Sequence, residues 1–343
     1  MTRTLLAAGA LAASIAAGCP AEARDLTIAV RGELADAVRE ALVRPFTETS
    51  GIAVAVVDAT VDVDDLKAHP PSAGDGWDLV MTSSAVSAAG CDQNLLDKLD
   101  WQALGGKDHY LPLGETDCSV GALLDAVTLT WDRDKFPSSP TWADFWDIAK
   151  YPGKRGLRQG AKGNLEIALM ADGVAPGDVY RTLKNADGVE RAFRKLDQLR
   201  PYLSFWAMSG DGPKSLGAGD VLMTSALVNR VVRADQEGHR NFAVQWNGAV
   251  LQVETWAVLK ASPNAAAALK LLAFVGDPKL SARLAPLGLG GMAKGSAEGS
   301  APDVAAFSPA VPANQSAGLM LDSQFWRDDG GKLAARFDAW MKR

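Results

Sequence analysis

Apolar positions recur along this chain at two spacings, and the alternation between them predicts its elements. Leu26 to Val30 (LTIAV) is a short β-branched run that predicts a strand, closed by the turn Arg31-Gly32-Glu33. Leu34, Val38, Leu42 and Phe46 then fall at helical spacing with charges between them, and Gly51 ends that helix. Ile52 to Val57 predicts a second strand and Leu66 a short helix; Trp77 to Thr82 predicts a third strand running into Ser83-Ser84. Val120 to Trp131 is a long, nearly uncharged β-type run broken by Asp125. Further strands are expected at Leu157, at Val221 to Thr224, at Phe242 to Trp246 and at Val250 to Leu259. Helices are expected after Thr141, near Asn164, over Val189 to Leu199, from Ser225, over Ala265 to Val275, over Leu280 to Leu284 and over Phe337 to Met341. The Ala/Gly/Ser/Pro stretch at 293–318 reads as an irregular surface crossing.

Strand–helix–strand alternation of this kind builds an open, mostly parallel α/β sheet. Two halves are expected, joined by the extended segments near 125–131 and 250–258. Ligands on such sheets sit at the carboxyl ends of strands. That makes Arg31, Gly32, Glu33, Ser83 and Ser84 first candidates, although each is also ordinary turn chemistry.

Length and composition narrow the class. A chain of 343 residues has room for about two domains of ~150 residues. Apolar residues make up 48% and charged residues 22%, which excludes a disordered or fibrous protein. The net charge of −6 leaves no basic footprint for nucleic acid. No internal apolar run reaches the roughly 18 residues that span a bilayer. Residues 1–23 read as an export signal, with Arg3, the apolar stretch Leu5 to Gly18 and the cleavage pattern Ala21-Glu22-Ala23. The competing reading is a lipoprotein signal acylated at Cys19; both place the protein in the periplasm. Cys91 and Cys118 are then an even pair in an oxidising compartment, which predicts a disulfide, with two buried free thiols as the alternative.

No catalytic spacing emerges. His69, His109 and His239 stand apart in polar loops, without metal-ligand spacing. Met208-Ser209-Gly210 lacks the flanks of a nucleophile elbow. Pro152-Gly153-Lys154-Arg155 lacks the first glycine of a phosphate loop and has Arg155 where a hydroxyl is needed. No cofactor, metal or catalytic residue is expected, and capture of a small solute is favoured over chemistry. A carboxylate in a buried strand is costly unless partnered, so Asp125 is either a cleft-wall residue or a structural carboxylate held by backbone amides. Glu254 stands in a similar setting between Val253 and Trp256.

Several runs then resemble one family: Pro140-Thr-Trp-Ala-Asp-Phe-Trp-Asp147, Tyr151-Pro-Gly-Lys-Arg-Gly-Leu157, Leu165-Glu-Ile-Ala-Leu-Met-Ala-Asp-Gly-Val174 and Arg191-Ala-Phe-Arg-Lys-Leu196. Arg44-Pro45-Phe46, Thr49-Ser50-Gly51, Asn229-Arg230 and Ser262-Pro263-Asn264-Ala265 fit as well. Over nearly the whole mature chain the sequence resembles the extracellular solute-binding proteins of polyamine (spermidine/putrescine-type) ABC importers. The resemblance implies an α/β, two-lobed periplasmic-binding-protein (Venus-flytrap) fold, type II-like, with lobes joined by crossing strands. It places lobe one at 24–127 plus 256–293 and lobe two at 128–255 plus 294–343. It further implies a monomer that hands its solute to an inner-membrane ABC permease.

Polyamine binders in that family grip ammonium groups with acids and pack methylenes between aromatic rings. Glu254 keeps one acidic position, but Gln252, Arg31, Ala85 and Leu227 stand where aromatics are expected. Gly160 and Gly163, with Lys162 between them, replace expected acids. Arg31, Lys162 and Asn164 bring donors instead, so an anionic or zwitterionic amine derivative is expected, with solvated surface charges as the bland reading of Arg31 and Lys162. A true spermidine or putrescine binder is the first alternative; a secreted enzyme or ligand-sensing adaptor is the second. The full expected ligand-binding set is Arg31, Glu33, Ser83, Ser84, Asp125, Lys162, Asn164, Ser209, Ser225, Glu254 and Trp256.

Overall fold

The computed structural model describes residues 24–343; the expected export signal and Cys19 lie outside them. The strands are β1 (Leu26–Val30), β2 (Val54–Asp58), β3 (Leu79–Ser83), β4 (Val120–Asp132), β5 (Arg155–Arg158), β6 (Leu203–Trp206), β7 (Met223–Leu227), β8 (Phe242–Val258), β9 (Gly290–Gly291) and β10 (Leu319–Met320). Among the described residues they form one sheet, in the order β2-β1-β3-β8-β4-β7-β5-β6. Both ends of that order are parallel, as the strand–helix alternation predicts. Its centre is antiparallel, where β3 pairs β8, β8 pairs β4 and β4 pairs β7. The sheet is therefore mixed rather than mostly parallel, because two long strands cross between the halves.

Those strands are β4, of 13 residues, and β8, of 17. Each serves two cores. Val120, Ala122, Leu123, Trp256 and Val258 pack with the residues of β1 and β3. Leu129, Trp131, Ala243 and Val250 pack instead with the helices of the other half. The expected break at 247–249 is a bulge. Val127 pairs with Val250 and Leu129 with Gln245, so β8 loops out while β4 runs on. Gly248 takes φ 76°, and its carbonyl accepts the Trp142 indole N–H at 2.8 Å.

The helices that position the cleft are α1 (Gly32–Val38), α2 (Ser84–Asp92), α3 (Asn164–Ala171), α4 (Asp211–Ala218), α5 (Val228–Gly238) and α6 (Ser323–Met341). The 293–318 stretch is less irregular than its composition implies: Pro302–Ala305 and Pro312–Ala317 are helical, and Ser296, Ser308 and Ala310 are buried. Cys91, on α2, and Cys118 are joined in a disulfide with Cα atoms 5.8 Å apart. The disulfide bridges 27 residues and tethers α2 to the start of β4.

Candidate functional site

The first wall of the cleft is built where β1 meets α1. Arg31 occupies the N-cap position of α1, and Gly32 follows because a Cβ there would lie 2.3 Å from an Asp58 carboxylate oxygen. The Arg31 guanidinium then meets three carboxylates. Nη1 lies 3.0 Å from Glu33, and Nη2 lies 2.9 Å from Glu254 and 3.5 Å from Asp125. Protein encloses Arg31 on most sides, yet 30% of its side-chain surface stays accessible, and it lines the cleft. Burial by itself would lower its pKa, but Glu254, Glu33 and Asp125 outweigh burial and hold the guanidinium charged.

Asp125 is the outlier among the three acids. It is 1% exposed, and burial pushes its carboxyl up to about 7, opposed by Arg31 and reinforced by Glu33 and Glu254. The Ala126 amide donates to it at 2.8 Å. Both sequence alternatives for Asp125 thus describe part of its setting: it lines the cleft and also accepts a backbone amide.

The facing wall is the turn between β5 and α3. Gly160 and Gly163 hold φ of 111° and 87°, values that side-chain-bearing residues rarely adopt. Asn164 ties the turn by donating its amide to the carbonyls of Arg158 and Gly160, at 2.6 and 2.7 Å. Below it, the buried Glu166 carboxylate accepts from the Gly163 amide, the Tyr180 hydroxyl and the Trp326 indole. Lys162 rides at the tip of this turn. Its side chain keeps accessible surface inside the cleft although protein crowds round it; desolvation and then Arg31 push its pKa down, against Glu254 and Glu166.

Between these walls lies a cleft of about 540 Å³. Its charged lining is Arg31, Arg158, Lys162 and Arg327 against the single carboxylate Asp125, with Val86, Ile167, Leu227 and Trp326 supplying apolar surface. Ser225 also faces it, and among the described residues its buried hydroxyl has no hydrogen-bond partner.

Of the sequence-derived candidates, Arg31, Ser83, Asp125, Lys162, Asn164 and Ser225 line the cleft. Glu33 and Glu254 stand behind Arg31 and reach the cleft through it. Ser84 opens α2 and is not part of the lining, whereas Ser83 caps that helix. Ser209 lies in the turn before α4, away from the cleft. Trp256 is 1% exposed and packed in the core of the first half, so its large ring serves folding. Ala85, Gly160, Gly163, Leu227 and Gln252, where the resemblance expected aromatics and acids, all line the cleft.

Sequence reasoning missed Arg158, Trp326 and Arg327. The last two arrive from α6, near the chain's end, where the polar run Ser323-Gln324 and Asp328-Asp329 reads as an exposed helix face. No local signal marks Trp326, because what holds it at the cleft is its hydrogen bond to the buried Glu166, 160 residues away in sequence.

This architecture is matched by known proteins. The profile of the bacterial extracellular solute-binding proteins covers residues 41–313. The chain belongs to that family. It is a solute-binding protein of the ABC-importer type, and its relatives span almost its full length. A gamma-aminobutyric acid-binding protein of Pseudomonas aeruginosa is 35% identical over 333 residues, 96% of this chain and 94% of that one. The solved Atu4243-GABA receptor shares 26% identity and a TM-score of 0.78, covering 93% of this chain and 98% of that one. AgtB of A. tumefaciens R10, solved with agropinic acid, shares 28% identity and a TM-score of 0.74, covering 93% and 99%. The match is to the solute-binding family at large, which is coarser than the polyamine type that the motifs resemble.

Proposed function

We propose that this solute-binding protein captures a short zwitterionic ω-amino acid of the γ-aminobutyrate class and delivers it, from the periplasm and as a monomer, to an inner-membrane ABC permease. The observation that carries this reading is the mixed charge of the cleft. Arg31, Arg158, Lys162 and Arg327 line it with Asp125, while Glu33 and Glu254 stand behind Arg31. Glu33 also lies 3.7 Å from Arg158, and Lys162 is the lining cation without an ion pair among the described residues. A spermidine or putrescine molecule brings only ammonium groups and would leave Lys162 facing a like charge with no counter-ion. A zwitterion satisfies both signs. Its carboxylate takes Lys162 and the open side of Arg31, its ammonium takes Asp125, and Val86, Ile167, Leu227 and Trp326 cover the methylenes between. The unpartnered Ser225 hydroxyl completes the polar set.

The names of the relatives support the same class, two for GABA and one for agropinic acid, an amino-acid-like anion. Lobes of 24–127 plus 256–293 and 128–255 plus 294–343 close over the solute along β4 and β8. A thermal-shift screen of amino acids, ω-amino acids, opines and polyamines checks the assignment. Saturating ligand at ~100 times its Kd stabilises by about 2.7 kcal/mol, so γ-aminobutyrate or a near homologue gives the largest rise in melting temperature. A rise with putrescine or spermidine that ω-amino acids do not match overturns it.

A further inference from the structure

Glu166 is wholly buried and makes no ion pair among the described residues. As the third residue of α3 it reaches back to the Gly163 amide at 2.9 Å, the contact of an ordinary helix cap. An exposed glutamate makes that contact without leaving water, whereas a buried carboxylate needs donors in place of the water it loses. Two further donors converge on it, the Tyr180 hydroxyl at 2.8 Å and the Trp326 indole N–H at 2.6 Å, both on Oε1. Burial pushes its pKa up, and the hydrogen bonds from Tyr180, Trp326 and Gly163 oppose that rise. Both oxygens meet donors only, a setting that suits the ionised acid.

Glu166 does not itself line the cleft, but its partners do. Gly163 and Lys162 lie in the turn that forms the facing wall, and Trp326 enters from α6. The indole nitrogen of Trp326 has Glu166 as its only hydrogen-bond partner among the described residues. One helical turn further on, no side chain braces the ring: the residue is Gly330, where a Cβ would stand 3.5 Å from the Trp326 Cε3. One buried carboxylate therefore joins the turn that carries Lys162 to the aromatic surface of the cleft, although 160 residues separate Glu166 from Trp326 in sequence.

We propose that Glu166 is a positioning residue for solute binding: by holding the Gly163 amide and the Trp326 indole on one carboxylate, it fixes the apolar wall relative to the Lys162 turn and so sets which length of ω-amino acid the cleft prefers. This rests on the zwitterion reading above. A zwitterion whose carboxylate is taken by Lys162 presents its methylenes to Trp326, and a ring held in one place fits one chain length better than its neighbours. A ring released from Glu166 covers several lengths almost equally. Glutamine at 166 is no substitute, since its amide turns an N–H towards one of the three donors.

Isothermal titration of the mature wild-type protein, Glu166→Gln and Trp326→Phe with β-alanine, γ-aminobutyrate and δ-aminovalerate tests this. The wild type is expected to prefer one of the three at least tenfold over the others. Glu166→Gln is expected to weaken that ligand roughly tenfold, the loss of a hydrogen bond to a charged group, and to narrow the preference to about threefold or less. Trp326→Phe keeps an aromatic ring and the buried acid but lacks the indole N–H, and it is expected to narrow the preference likewise. Equal weakening of all three ligands in Glu166→Gln, or a lower melting temperature with the preference intact, marks a helix cap only and overturns the proposal. A wild type that binds all three alike also overturns it. Should Glu166→Gln fail to fold, Trp326→Phe decides alone, and an unchanged preference there overturns the proposal. Binding of none of the three overturns the solute assignment as well; binding with a preference that neither variant moves overturns this inference and leaves that assignment standing.

Discussion

Asp125 shows how much one residue carries. Its carboxyl titrates near 7 because burial penalises the charge more than Arg31 repays it. The folded-state pKa is raised above the ordinary 3.8, so the stability linked to its proton is fully present below about 4 and is lost as pH rises through 7. Asp125→Asn removes that dependence. The melting temperature of the variant relative to wild type is expected to rise between pH 4 and 7.5, followed by calorimetry; a difference that stays flat contradicts the assignment. Solute binding runs the other way, since an ammonium partner needs the ionised acid. Affinity for a zwitterion is expected to tighten from pH 5.5 to 7.5 in the wild type and to lose that trend in the variant. Removing Arg31 is harsher. Arg31→Ala strands three carboxylates, and loss of one partner from a buried ionic cluster costs about 3 kcal/mol or more, which urea unfolding measures. Arg31 and Asp125 were legible because charges at the end of one apolar strand and within another are conspicuous. Trp326 was not, because what brings it to the cleft is the distant Glu166 and not its neighbours in sequence.

At the scale of elements, the Tyr151-to-Leu157 motif finds a structural explanation. Arg155 is fully buried and donates to the carbonyls of Phe145, Gly153 and Tyr151 at 2.8, 2.8 and 2.6 Å, with Asp147 at 3.4 Å. The arginine that stands where a phosphate loop needs a hydroxyl gathers the backbone before β5. Hydrogen bonds from a charged donor are worth roughly 1.5–3 kcal/mol each, so Arg155→Ala is expected to lose about 4 kcal/mol; a loss below 1 kcal/mol in denaturant titration refutes this role. The disulfide is a second brace. Opening it by Cys91→Ala/Cys118→Ala is expected to lower stability by ~3–4 kcal/mol on the chain-entropy estimate for such a loop, measured the same way. The break expected between Trp246 and Val250 is a bulge inside β8, not the end of a strand. A left-handed glycine ends a strand in a hairpin, but in a bulge it lets the strand continue, and the pairing of β4 decides between them.

For the molecule as a whole, the alternation of apolar runs was enough to foresee an α/β chain in two halves crossed by extended segments, because each half must bury its own core. It did not reveal that β4 and β8 join both halves into one mixed sheet, since register between strands about 120 residues apart leaves no local trace. Nor did it show that the cleft lining would be mostly cationic, because Arg158 and Arg327 come from elements that look like ordinary solvent-facing surface. Side chains meet backbone between the elements that wall the cleft: Arg230 and Asn229 on the Glu33 carbonyl, and Arg327 on the Ala85 carbonyl at 3.3 Å. Isothermal titration of the mature protein with γ-aminobutyrate, putrescine and spermidine at pH 7.5 bears most directly on the claim that this cleft selects a molecule of both charges. Saturable one-to-one binding of γ-aminobutyrate, or of an ω-amino acid one methylene longer or shorter, with no measurable heat from either polyamine, is the result expected. Tight spermidine or putrescine binding with silence from every zwitterion would contradict it.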